Sequence, residues 1–274
     1  MPLRSHAAVN YLWILLVLFS VSYIALRPAV AQAGGQNGPW MDKSLSPDER
    51  ASMLVKEMTL EEKISLLHGT GMKGLGPLSP QHADSIGGAG YVPGIERLGI
   101  PALQISDAAY GVRSSGENGR YSTALPADIA GAATWDPQGA FEYGALIGSE
   151  LRAQGFNMSL GGGTNLTREP RNGRTFEYLG EDPVLAGTMV ASLIKGTQSQ
   201  HVLGDIKHYG LNDQESGRNA YNVVIDRRAA RESDLLAFEI IDRLHRRDGR
   251  AAVRRDFQLR RLYLPEEPGR RAAP

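Results

Sequence analysis

Between residues 100 and 240, short apolar runs alternate with longer amphipathic ones, and polar residues gather just after each short run. This alternation constrains the fold more than any other feature, because strand–helix–strand units cover a parallel sheet with helices. Residues 100–105 read as a buried strand with Asp107 just past its end. Asp136-Pro137 starts a helix terminated at Gly155, and residues 156–160 form the next strand, followed by Gly161-Gly162-Gly163. Asp182-Pro183 opens a further helix closed at Gly196, and residues 201–206 form a third strand ending at Lys207-His208. Asp226 caps a last helix carrying Leu235, Leu236 and Phe238. Upstream, Ser46-Pro47 starts a helix, and Thr59 with Glu62 forms a capping-box pattern for a second one, stopped at Gly69. Residues 71–94 are rich in Gly and Pro and read as loop. The expected class is α/β. Periodicity leaves a β/α barrel and an open α/β sheet equally open, and both place their sites at the carboxyl ends of strands.

The N-terminus reads as an export signal. Arg4 and His6 precede an apolar run over 11–26, then the small-residue exit Ala29-Val30-Ala31. The run is shorter than the roughly 20 residues of a spanning helix. Residues 1–33 are therefore expected to be a signal peptide and 34–45 a flexible leader, with an uncleaved anchor as the alternative. The expected location is secreted or periplasmic, with no stable membrane span after cleavage. The chain has no cysteine, which removes thiol chemistry, Cys-type zinc sites and iron–sulfur clusters. Thirty basic residues balance thirty acidic ones, so the overall field does not call for a nucleic-acid partner. G-x-x-x-x-G-K-[ST], H-E-x-x-H and G-x-S-x-G are absent, and no metal or cofactor is expected.

Residues 241–274 break with what precedes them. Ten arginines and no lysine fall in these 34 residues, and the apolar residues keep neither a helical nor a strand period. A basic tail for nucleic acid or anionic lipid, a disordered tail, and out-of-frame translation of GC-rich DNA all fit that composition. The third is favoured.

Four clusters can carry chemistry. In Ser106-Asp107-Ala108-Ala109-Tyr110-Gly111-Val112-Arg113, an acid at a strand end can accept hydrogen bonds from two adjacent sugar hydroxyls. It can equally cap the following turn. The stretch 168–183 interleaves Arg168, Arg171 and Arg174 with Glu169, Glu177, Glu181 and Asp182, and the planar fork of arginine gives directed donors. The plainer alternative is a surface loop with weak ion pairs. Lys207 and His208 reach one site only if they lie at the lip of their strand, since neighbours in a strand face opposite ways. Asn212, Asp213 and Glu215 follow in a polar loop. Gly161-Gly162-Gly163 suggests a close backbone approach and nothing more.

Taken in order, these clusters resemble glycoside hydrolase family three, in its bacterial β-glucosidase branch. The resemblance runs from about residue 58 to 239 through MTLEEKISLLHG, GIPALQISDAAYGVR, ATWDP, REPRNGRTFEYLGEDP and IKHYGLNDQE. It implies that residues 46–240 form part of the family's N-terminal domain, an incomplete (β/α) TIM-like barrel. By the same resemblance, Asp107, Arg174, Lys207 and His208 bind the terminal β-D-glucosyl unit, and Arg168 and Glu181 support the pocket. A retaining mechanism needs two carboxyl groups flanking the bond. The family's nucleophile, an Asp in a Ser-Asp-Trp context, and its acid/base would both fall beyond Pro274. Asp242, Asp248 and Asp256 sit in unrelated Arg-rich text and are not substitutes. Lys207-His208-Tyr209-Gly210-Leu211-Asn212-Asp213 differs from the Lys-His-Phe-Pro-Gly-His-Gly run of the family's N-acetylglucosaminidases, which favours the β-glucosidase type. Glucose and xylose are not separated by these residues. The chain is expected to release no glucose by itself, with a non-catalytic sugar-binding remnant or an unstable fragment as the alternatives.

Overall fold

The computed structural model describes residues 38–70, 82–113, 121–247, 254–257 and 262–263. The expected signal peptide and the start of the leader lie outside the described residues. Two short helices open the fold, α1 (Pro47–Glu57) and α2 (Leu60–Ser65). Each starts in a capping box, Ser46 with Glu49 and Thr59 with Glu62, which satisfies amides that the helix itself leaves unpaired.

Strand β1 (Gly90–Val92) lies in the stretch expected to be loop and pairs antiparallel with β2 (Leu103–Asp107), Gly90 facing Ile105 and Val92 facing Leu103. Three residues are too few to show an alternation, and the free edge of β2 supplies the partner. After β2 come α3 (Asp128–Ala132), α4 (Pro137–Ala153), β3 (Met158–Leu160), α5 (Pro183–Ser199) and β4 (Leu203–Tyr209). The short strand β5 (Val223–Val224) precedes α6 (Arg227–Glu232) and α7 (Asp234–Arg247), and β6 (Arg254–Phe257) and β7 (Leu262–Tyr263) complete the described elements. The main sheet has the order β1-β2-β3-β4-β6, parallel from β2 onward. This is part of a barrel-like parallel sheet, and it brings the carboxyl ends of β2, β3 and β4 to one rim.

Helices α4 and α5 begin where Asp136 and Asp182 accept backbone amides of the first turn with Pro at the next position. Gly196 does not end α5 as expected; the helix continues to Ser199. A Cβ on Gly196 would lie 2.0 Å from the Phe141 carbonyl oxygen, and one on Gly144 would lie 1.9 Å from that of Leu193. The two glycines therefore let α4 and α5 touch backbone to backbone. On its other side α5 packs on α7, where Val190, Ile194, Ile206, Phe238 and Ile241 form a buried cluster.

The helix expected after Asp226 is two helices, broken at Ser233, and the second runs past residue 240 to Arg247 with Ile241 fully buried. Burying such a side chain stabilises by roughly 1.5–3 kcal/mol. The Arg-rich segment after residue 240 thus carries the end of α7 and two strands. Its strand β6 runs parallel to β4, Asp205 opposite Arg254 and Ile206 opposite Arg255. The ladder is made by backbone groups, which any sequence supplies, so the irregular side-chain pattern gives no warning of it. Among the described residues, no helix is long and apolar enough to cross a membrane.

Candidate functional site

A polar cavity of about 400 Å³ opens at the rim where β2 and β4 end. Asp107 enters it as the last residue of β2, and Lys207 and His208 enter from β4. Adjacent strand residues ordinarily face apart, but here the ladder between β4 and β6 shifts register between Ile206 and Tyr209. Both side chains line the same cavity. The loop after β3 supplies Arg174 and Glu177, the latter in a 3-10 turn over Thr175–Glu177, and the loop after β4 supplies Glu215 and Arg218.

The charges alternate along a chain. The Lys207 ammonium donates to Asp107 Oδ1 at 3.0 Å and lies 3.4 Å from Glu177 Oε2. Arg174 Nε donates to Glu177 Oε1, while Arg174 Nη1 is 3.5 Å from Glu215 Oε2. Arg218 Nη1 lies 2.9 Å from Glu215 Oε1. Lys207 is only 3% exposed and Glu177 4%, so their charges are taken out of water and depend on one another. Removing one member of such a pair is costly because the other remains buried and uncompensated.

A second, mostly uncharged network fixes the histidine. His208 N donates to Asn165 Oδ1 at 2.8 Å, and Asn165 Nδ2 donates back to the His208 carbonyl at 3.0 Å. The ring Nδ1 lies 3.3 Å from Asn212 Nδ2 and 3.2 Å from the Tyr178 hydroxyl. An amide NH₂ can only donate, so with Asn212 in this orientation Nδ1 is the acceptor. Burial pushes the Tyr178 hydroxyl well above its usual range, which keeps it a proton donor. Gly163 serves the close approach expected of the glycine run, since a Cβ there would sit 2.2 Å from the Glu177 carbonyl oxygen.

Of the residues singled out from the sequence, Asp107, Arg174, Lys207 and His208 come together in the cavity. Arg168 lies outside it. Its Nε is 3.2 Å from Asp213 Oδ2, and its Nη2 donates to Ser233 Oγ at 2.8 Å and to Asp234 Oδ2, tying the loop after β4 to the start of α7. Glu181 is solvent-exposed on the turn before α5 and does not line the cavity. Sequence reasoning assigned no role to Arg113, Tyr110, Phe176, Arg218, Glu177 or Glu215. The spacing of Glu177, three residues after Arg174 in a loop already marked as polar, was the available signal. Tyr110 and Phe176 pack edge to face at 5.4 Å between ring centres on the cavity wall.

Residues of α3, α4 and α5 line a second, apolar cavity of about 360 Å³. Asp128 faces it, 4% exposed, with Oδ1 accepting from the Tyr143 hydroxyl at 3.2 Å and Oδ2 without a hydrogen-bond partner. Burial raises its pKa well above 3.8, against the opposing effect of the Tyr143 hydrogen bond.

Parallel strands alternating with helices, and a polar pocket at the carboxyl ends of those strands, define a β/α-barrel enzyme domain. The directed donors and acceptors of the pocket suit a hydroxyl-rich ligand. The chain belongs to glycosyl hydrolase family 3: residues 84–242 match the family's N-terminal domain. It is similar to the β-glucosidase BoGH3A of Bacteroides ovatus, 36% identical over 234 residues that cover 81% of this chain and 29% of that protein. It is also similar to the thermostable β-glucosidase B of Acetivibrio thermocellus, 34% identical over 68% of this chain and 23% of that one. Among solved structures, β-glucosidase 3B from Thermotoga neapolitana in complex with α-D-glucose superposes with a TM-score of 0.63 at 38% identity, covering 70% of this chain and 27% of that one. DesR, a β-glucosidase from Streptomyces venezuelae in complex with D-glucose, gives 0.62 at 36% identity, covering 71% and 23%. The chain thus spans less than a third of the length of each of these relatives.

Proposed function

We propose that this chain supplies the sugar-binding part of a β-glucosidase-type glycoside hydrolase and that its polar cavity holds a terminal β-D-glucosyl unit. The observation that carries this reading is the junction of Asp107, Lys207, Glu177 and Arg174 in one cavity. Carboxylate and ammonium, already paired, can each turn a remaining lone pair or proton to vicinal hydroxyls, a geometry that water reproduces poorly. His208 adds its imidazole to the same lining. The two structural relatives bound to glucose support the choice of sugar. An exported protein is consistent with the N-terminal pattern of basic start, apolar run and Ala29-Val30-Ala31.

Binding is proposed for this chain and turnover is not. Retaining hydrolysis needs one carboxylate to attack and a second carboxyl group to protonate the leaving oxygen. Asp107, Glu177 and Glu215, the three carboxylates of the cavity, are each engaged by a cation. Calorimetry on the 274-residue chain should therefore register glucose binding, while an aryl β-glucoside should release no phenol above the buffer rate. Steady hydrolysis by the purified chain would sink the binding-only reading, and the absence of heat with glucose would sink the sugar site itself.

A further inference from the structure

We infer that Glu177 is the positioning residue of this cavity: its buried carboxylate holds Lys207 and Arg174 in the orientation that meets the sugar. The inference rests on the sugar-site reading above and adds to it the group that sets the site's shape. Each carboxylate oxygen of Glu177 faces a different cation, Oε1 the Arg174 guanidinium and Oε2 the Lys207 ammonium. With both oxygens committed, Glu177 is better placed to orient its neighbours than to bind a ligand. Its own place is fixed. The Glu177 amide donates to the Arg174 carbonyl at 3.2 Å, and its carbonyl lies against Gly163, which bridges to both Tyr178 and Lys207.

The two cations it joins come from different elements, Lys207 from β4 and Arg174 from the loop after β3, and have one other carboxylate each, Asp107 for Lys207 and Glu215 for Arg174. Those outer carboxylates are more exposed, with side chains 40% and 32% accessible against 5% for Glu177. A lysine stem is flexible, and holding it in place before the ligand arrives removes an ordering cost from binding.

The test is glucose calorimetry on the full chain with Glu177→Gln and Glu177→Asp, joined to a crystal structure of the Gln variant. Gln keeps the shape but sets an NH₂ against a cation. Asp keeps the charge but is one methylene too short to reach both partners. Both should weaken glucose binding, the Gln variant by about tenfold or more. Lys207 Nζ and the Arg174 guanidinium should leave their present positions in the Gln variant while its fold is retained. Should the Gln variant fail to fold, the Asp variant carries the test alone, and wild-type affinity there overturns the inference. Wild-type affinity in the Gln variant overturns it equally, as does a weakened Gln variant whose Lys207 and Arg174 have not moved. If wild-type protein binds glucose and the variants match it, only the role of Glu177 falls. If wild-type protein gives no heat, the sugar site falls and the inference with it.

Discussion

Asp128 begins α3 beside an apolar cavity, and its carboxyl group is held away from water with one oxygen unpartnered. Burial is the main cause of its raised pKa; Glu177 pushes the same way, and the Tyr143 hydrogen bond and Lys207 oppose. The folded protein therefore keeps a proton that the unfolded chain releases just above its ordinary pKa of 3.8. Below that value both states are protonated and the group costs nothing. As pH rises from there toward the folded-state pKa, the unfolded chain ionises first and stability is lost. An asparagine in its place has no proton to lose, so D128N should match wild type in urea unfolding near pH 4 and exceed it near pH 7. A gap that does not widen with pH would show that Asp128 is ionised in the fold. Nothing in the text ADIAGAATW singles this residue out. Its chemistry arises from α4 and α5 closing over it, which is a long-range event.

At the scale of elements, the α4–α5 contact is the most demanding piece of packing. The side chain of an alanine in place of Gly196 would overlap the Phe141 carbonyl, and backbone cannot move aside as a side-chain tip can. G196A should therefore destabilise by about 1–3 kcal/mol or more, read as a lowered urea midpoint at unchanged slope. If Gly196 were a helix stop, Ala would instead be tolerated. The sequence pointed to the stop because a glycine after an apolar stretch has that local meaning, whereas its value here is set by a helix 52 positions away in the chain, from Gly144 to Gly196. The caps at Asp136, Asp182 and Asp226 were legible because a cap is a contact across two or three residues. Helix α3 and strand β1 were not, being too short for any period to show.

For the whole molecule, the alternation of strands and helices was legible and so was the rim that carries the site, because both follow from hydrophobic period and from where polar residues interrupt it. Asp107, Arg174, Lys207 and His208 stood out by residue type and position. Their partners did not: Arg174 meets Glu215 across 41 residues and Lys207 meets Asp107 across 100. Such pairings exist only once the loops have folded back. Glu181 shows the reverse case, a residue marked by its motif that points to solvent. The run Asp107–Lys207–Glu177–Arg174–Glu215–Arg218 joins three anions to three cations, so its members cancel one another before any ligand arrives. Arg113 also lines the cavity, outside this run, so the lining as a whole holds four cations against three anions. Because glucose is uncharged, ionic strength should scarcely matter: its affinity is expected to change by less than about twofold between roughly 0.05 and 0.5 M sodium chloride, measured by calorimetry. A phosphorylated or acidic sugar would meet only that single excess cation, set against the water such a guest must shed, so most of the cavity's charge is spent on holding its own shape.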